Sequence, residues 1–243
     1  MNYKYNYTIA AFLLLTVGLT SCEKSGLSVT GSSSLTIVNV VAGGDSLVTN
    51  FDASTSNAKE SSFGYSTADV LLPYSSQEFS GLSGTVLLAL SPVSDTLVPQ
   101  FQETLTIASG GIYSLFLTGT PAVPASVFVQ DQVPVIPATD SAIGIRFVHL
   151  STGVNPVNIV VEVNSGDSSL ASNLAYKATS PFILLPASAA ISSYTFKIED
   201  AATAAVLATY TLGSISSLYF KSVTLALYTT TAGGMGTLLV NNY

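Results

Sequence analysis

Hydrophobic and polar residues alternate along much of the chain. Val157, Ile159, Val161 and Val163 are separated by Asn158, Val160, Glu162 and Asn164, and Tyr194, Phe196 and Ile198 by Thr195, Lys197 and Glu199. A period of two marks a half-buried strand, with one face toward a core and the other toward water. Gly, Pro, Ser and Asp interrupt these runs at hairpin spacing, as in Ser91-Pro92-Val93-Ser94-Asp95 and Ser165-Gly166-Asp167-Ser168. The pattern predicts antiparallel sheets stacked as a sandwich, not a parallel sheet with crossover helices. Asp200-Ala201-Ala202-Thr203-Ala204-Ala205 has a helix-like alanine content. It lies where an earlier, similar stretch has a Ser/Pro/Asp turn, so it reads as a hairpin tip.

The whole pattern occurs twice, in one order. Ile37-Val38-Asn39-Val40-Val41 answers Ile145-Arg146-Phe147-Val148-His149, Phe63-Gly64-Tyr65 answers Leu174-Ala175-Tyr176, and Val86 to Leu90 answers Tyr194 to Ile198. Leu105-Thr106-Ile107 followed by Gly111 to Leu117 matches Tyr210-Thr211-Leu212 followed by Ser217-Leu218-Tyr219-Phe220 and the run to Leu227; Val127-Phe128-Val129 and Leu238-Leu239-Val240 close the copies. Each copy is long enough for one core. The expected fold is all-β: two tandem antiparallel β-sandwich domains, immunoglobulin- or transthyretin-like, at residues 35–133 and 142–243. Val133-Pro134-Val135-Ile136-Pro137-Ala138 reads as a stiff, extended joint, with the joint placed at 134–141. An outer-membrane barrel is the rival for such strands, and a sandwich-length repeat argues against it.

Composition narrows the function classes. Of 243 residues, 48% are hydrophobic and 9% charged, which excludes a disordered chain. The net charge of −7 leaves no cationic surface for a phosphate backbone, so nucleic acid is not an expected partner. A mean hydropathy of +0.52 suggests a membrane protein. Yet the one uninterrupted apolar stretch, Ile9 to Val17, is too short to span a bilayer.

That stretch follows a polar start with Lys4 and leads through small residues to Cys22, the arrangement of an export signal over residues 1–21. Leu19-Thr20-Ser21-Cys22 resembles the bacterial lipobox, which implies cleavage before Cys22 and lipid attachment to its sulfur. The plainer alternative is an ordinary secretory peptide with an incidental cysteine. Cys22 is the only cysteine, so no intramolecular disulfide can form, and lipidation would remove a reactive thiol from an oxidising compartment. Several acyl chains give a durable anchor. The Ser/Thr/Gly-rich residues 22–34 read as a flexible tether. The expected location is the outer membrane, held by lipid, on either its periplasmic or its surface face.

Candidate chemistry is sparse. His149 is the only histidine, so no site with several imidazoles can form, and its place on an apolar strand favours a structural role over a general base. Glu199 and Asp200 would point to opposite faces of one strand. No loop carries the spaced carboxylates of a calcium site. No catalytic residue, metal or cofactor is therefore expected, and a hydrolase is only a remote alternative. Phe63, Tyr65 and Tyr74 lie in a polar stretch and are the candidates for ligand contact, although core packing is the commoner fate of such rings. Asp45-Ser46-Leu47, Asp95-Thr96-Leu97 and Asp140-Ser141-Ala142 resemble the O-glycosylation acceptor of exported Bacteroidota proteins, which marks Ser46, Thr96 and Ser141.

Ile145-Arg146-Phe147-Val148-His149-Leu150-Ser151, followed by Asn155-Pro156-Val157-Asn158-Ile159-Val160-Val161, resembles the opening of a bacterial family of exported β-sandwich repeats, domain-of-unknown-function family 4397. Thr152 and Asn158 depart from that family's usual proline and aspartate. The resemblance implies an exported sandwich module and supplies no catalytic residues; with the lipobox, it resembles lipoproteins of the Bacteroidota. The expected function is a non-catalytic binding or accessory module of the cell envelope for a glycan or protein partner. The alternative is a structural component of the cell surface or extracellular matrix.

Overall fold

The computed structural model describes residues 31–51, 70–163 and 166–242. The first copy contains β1 (Ser32–Asn39), β2 (Leu47–Asn50), β3 (Val70–Leu71), β4 (Ser75–Leu82), β5 (Gly84–Pro92), β6 (Phe101–Ile107), β7 (Ile112–Thr120) and β8 (Val123–Gln130). The second contains β9 (Ala142–Leu150), β10 (Val157–Val163), β11 (Gly166–Leu174), β12 (Ile183–Pro186), β13 (Tyr194–Asp200), β14 (Val206–Leu212), β15 (Ser222–Thr229) and β16 (Met235–Asn241).

The sheet orders repeat strand for strand. The first copy has sheets β4-β1-β7-β8 and β3-β2-β5-β6; the second has β12-β9-β15-β16 and β11-β10-β13-β14. Neighbours are antiparallel except β1 with β7 and β9 with β15, which run parallel. In each copy the strand that enters the sandwich thus lies beside one that arrives six strand-connections later. Residues 200–205 do form a hairpin tip: Asp200 Oδ1 accepts the N–H groups of Ala202 and Thr203, both at 2.9 Å.

Each copy has its own core. In the first, Leu35, Ile37, Leu115 and Leu117 pack on Leu47, Leu88, Leu90 and Leu105. In the second, Ile143, Ile145, Phe147, Val223 and Leu225 pack on Val157, Ile159, Phe196 and Ile198. A third cluster joins the copies: Val38, Val40 and Phe116 from one, Val148, Leu150, Ala226 and Val240 from the other. The four sheets therefore stack as four layers, with β4-β1-β7-β8 and β12-β9-β15-β16 inside and their central strands β1, β7, β9 and β15 covered on both faces. Every residue of β9 is buried, whereas β13 alternates between buried and partly exposed positions. Continuous burial is what two covered faces demand, and it accounts for much of the 48% hydrophobic content.

Three expectations need correction. β1 begins at Ser32, inside the segment read as tether, because Ser32–Ser34 pair with Ser80–Leu82 of β4. Ser217–Phe220 are not strand: Ile215–Leu218 make a 3-10 turn with Ile215 buried, and β15 starts at Ser222. The repeat also aligns differently at the sixth strand. Leu105 stands opposite Val86, and Leu212 opposite the equivalent Tyr194, so Leu105 corresponds to Leu212 and not to Tyr210.

Candidate functional site

The seam between the inner sheets holds the chain's only arginine. On β9 the odd positions face the second core, so Arg146, Val148 and Leu150 face the first copy. Arg146 is 2% exposed. Its Nη1 lies 2.7 Å from Asp131 Oδ1, just beyond β8, as a close charge contact. Its Nε donates to Thr224 Oγ1 at 2.9 Å and its Nη2 to Ser114 Oγ at 3.0 Å. Asp131 Oδ2 accepts from Ser114 Oγ at 2.7 Å and from Asn242 Nδ2 at 3.2 Å; Thr224 Oγ1 donates to Asn242 Oδ1 at 2.6 Å. Such a closed network meets the requirement that a buried charge be paired and hydrogen-bonded. Thr118 Oγ1 adds a bond across the seam, to Leu150 O at 2.6 Å.

The outer side of this network is open. A recess of about 350 Å³ is lined by Val129, Gln130, Gln132, Pro134, Thr179 and Phe182, among others, with Arg146 at its floor. The guanidinium carbon sits 4.8 Å from the Phe182 ring centroid and 5.8 Å from that of Phe116. Because Asp131 neutralises Arg146, the recess has no unpaired charge among these residues. It offers an aromatic ring, two prolyl and valyl surfaces, the Thr179 hydroxyl and the exposed amides of Gln130 and Gln132. That is a neutralised guanidinium at the floor, apolar walls, and neutral donors and acceptors at the rim, a composition suited to a small polar ligand.

His149 continues the core-facing row of β9 and is 0% exposed. Its Nδ1 accepts the Ser151 N–H at 3.3 Å and its Nε2 faces Asn155 O at 3.2 Å. One neutral tautomer, protonated on Nε2, satisfies both contacts. Burial pushes its pKa below the usual imidazole value, partly offset by the carbonyls of Asn155 and Val154. Both ring nitrogens are occupied, which leaves none for a substrate proton. Asp200 is held below the usual carboxylate range, first by Asn155 Nδ2 at 2.9 Å and then by the Thr203 N–H.

The candidate residues from sequence are scattered. Cys22, Phe63 and Tyr65 lie outside the described residues. Tyr74 is half-buried at the seam, stacked on Tyr228 with centroids 4.9 Å apart. Ser46 and Thr96 sit in adjacent loops at one end of the first sandwich, tied by Ser94 Oγ to Asp45 Oδ2 at 2.8 Å. Thr96 and Ser141 are exposed, and Ser46 is half-buried. Alternation and motif spacing do not single out Arg146, Asp131 or Phe182. One signal was present: a lone arginine in an otherwise apolar strand needs a buried counter-charge.

No family model matches the chain, and no curated protein matches it. Among solved structures, it is similar to the Bacillus anthracis TIE protein at 9% identity and a TM-score of 0.25, covering 82% of this chain and 34% of that one. It thus spans about a third of that protein's length. It is similar to family 41 carbohydrate-binding modules from streptococcal virulence factors, which recognise alpha-glucan, at 9% identity and a TM-score of 0.28, covering 81% and 93% of the two chains. The family 26 module of Eubacterium rectale Amy13K, solved with maltoheptaose, gives 9%, 0.27, and coverage of 87% and 97%.

Proposed function

We propose that this chain is a non-catalytic binding module of the cell envelope, exported, anchored to the outer membrane by lipid at Cys22, and that its ligand is a neutral glycan seated in the seam recess. The observation that carries the reading is the chemistry of that recess. Its one cation is already neutralised, which disfavours an anionic ligand, while an aromatic ring beside two amides suits a sugar, with an apolar face and a rim of hydroxyls. His149, with both nitrogens engaged, supports a role without catalysis.

The test is isothermal titration of the protein against a panel of neutral and acidic oligosaccharides. Neutral glycans should bind and acidic ones of the same length should not. Gln132→Ala removes one neutral hydrogen bond from an exposed position and should weaken binding about 3- to 10-fold. Phe182→Ala should weaken it further. The assignment is wrong if no neutral glycan binds at millimolar concentration, or if neither variant changes the affinity. For the anchor, labelled palmitate should enter the full chain and be absent from Cys22→Ser.

A further inference from the structure

A sheet that ends in a free strand invites another strand to pair with it, and proteins guard such edges with charges, prolines, bulges or short strands. The edges here can be compared one by one. β3 has two residues, and β12 has four and ends in Pro186. β4 carries Glu78, β6 Glu103 and β8 Pro124. β11 carries Asp167, and its pairing with β10 breaks register between Val157 and Val160. β16 has neither charge nor proline, but both of its faces are engaged, Leu239 against the second core and Leu238 and Val240 in the seam.

β14, Val-Leu-Ala-Thr-Tyr-Thr-Leu, is different. It has no charge and no proline, its one register break against β13, at Leu207, leaves Ala208–Leu212 in unbroken pairing, and β13 is its only hydrogen-bonded neighbour. Val206 and Leu207 are 54% and 37% exposed. The duplicated fold supplies the contrast. β6 places Glu103 opposite Leu88; at the corresponding place β14 has Tyr210 opposite Phe196. An inward-leaning charge guards one edge, and its equivalent on the other is an aromatic ring. From Ala201 to Tyr243, Lys221 is the sole charged side chain.

We infer that β14 is a docking edge for β14 of a second copy of this chain, the two strands pairing antiparallel about a two-fold axis at Thr209. The strand is complementary to itself in that register. Thr209 meets Thr209, a favourable cross-strand pair. Ala208 meets Tyr210, small against large, and this happens twice by symmetry. A charge anywhere near the centre would face its own copy, and none is there. Lys197, in register with Thr209, would lie about three strand spacings from its symmetry mate, about 14 Å, beyond the roughly 8 Å screening length at physiological salt. A two-fold of this kind closes on itself and yields a dimer with an eight-stranded outer sheet, not a fibre.

The experiment uses the full chain, extracted in mild detergent and oxidised gently. Thr209→Cys should give a disulfide-linked dimer on a non-reducing gel, since paired strands bring opposed Cα atoms within disulfide range. Gln102→Cys, the matching position on the guarded β6, should show only the background of the parent chain, whose one cysteine is Cys22. Thr209→Glu should convert the sedimenting species from dimer to monomer with an unchanged circular dichroism spectrum. A Thr209→Cys chain that crosslinks no more than the parent, a Gln102→Cys chain that crosslinks equally, or a parent monomeric at 100 µM on the order of magnitude of tethered surface concentrations overturns the inference. No ligand takes part, so its failure and that of the glycan reading are separable.

Discussion

Arg146 and Asp131 face each other at 2.7 Å across the seam, one from the second sandwich and one from the end of the first, with side chains 3% and 0% exposed. A pair so placed fixes how the sandwiches dock, because neither charge can be left in the seam alone.

Removing one partner should therefore cost more than removing both. Arg146→Met leaves a buried carboxylate and should destabilise the chain by about 3–5 kcal/mol. Arg146→Met with Asp131→Leu should recover most of that loss. Urea unfolding of the single and double variants measures both; equal losses would show that the pair carries no special weight.

The seam also predicts how the protein unfolds. With a third hydrophobic cluster and a polar network joining the copies, both sandwiches should melt in one transition. Phe116→Ala, which empties a fully buried site in the seam, should cost about 3–5 kcal/mol and split the calorimetric trace into two peaks. A split trace in the parent would mean that the copies are independent.

His149 gives a pH dependence with a definite sign. Its folded pKa lies below 6.5, so above pH 6.5 both folded and unfolded states are neutral and pH has little leverage through this group. As pH falls below 6.5, the unfolded chain takes up a proton that the fold resists, and stability declines until the folded imidazole titrates. The slope cannot exceed about 1.4 kcal/mol per pH unit. Urea midpoints between pH 7.5 and 5.5 should fall in the parent and flatten in His149→Gln.

Modification is checked by mass. Peptides containing Thr96 and Ser141, both exposed, should carry glycan in protein isolated from its own cells, and so should Ser46. Ser→Ala or Thr→Val at each site should remove the added mass from that peptide alone. Unmodified peptides at all three sites would end the assignment.

How much of this was readable beforehand depended on how many faces each strand buries. β10 and β13 bury one face, and their alternation names the strand and its inward residues. β9 buries both, so Ile145-Arg146-Phe147-Val148-His149 has the same apolar density whichever body covers the second face. The seam was therefore invisible to periodicity. The duplication was legible because strand order survives divergence, while the sixth-strand register was not, since Leu-Thr-Ile and Tyr-Thr-Leu align equally well two residues apart. Tyr74 stands in a polar stretch that suggests an open face, and that stretch holds no sign of Tyr228, which stacks on it from the other copy.

The parallel pairing of β1 with β7 has a mechanical consequence. Tension arriving along the chain at Ser32 enters a central strand, bonded to β4 on one flank and β7 on the other. A pull along that axis shears both ladders together, and their hydrogen bonds share the force instead of opening in turn like a zipper. A body tied to a surface at that end would resist drag with its strongest geometry.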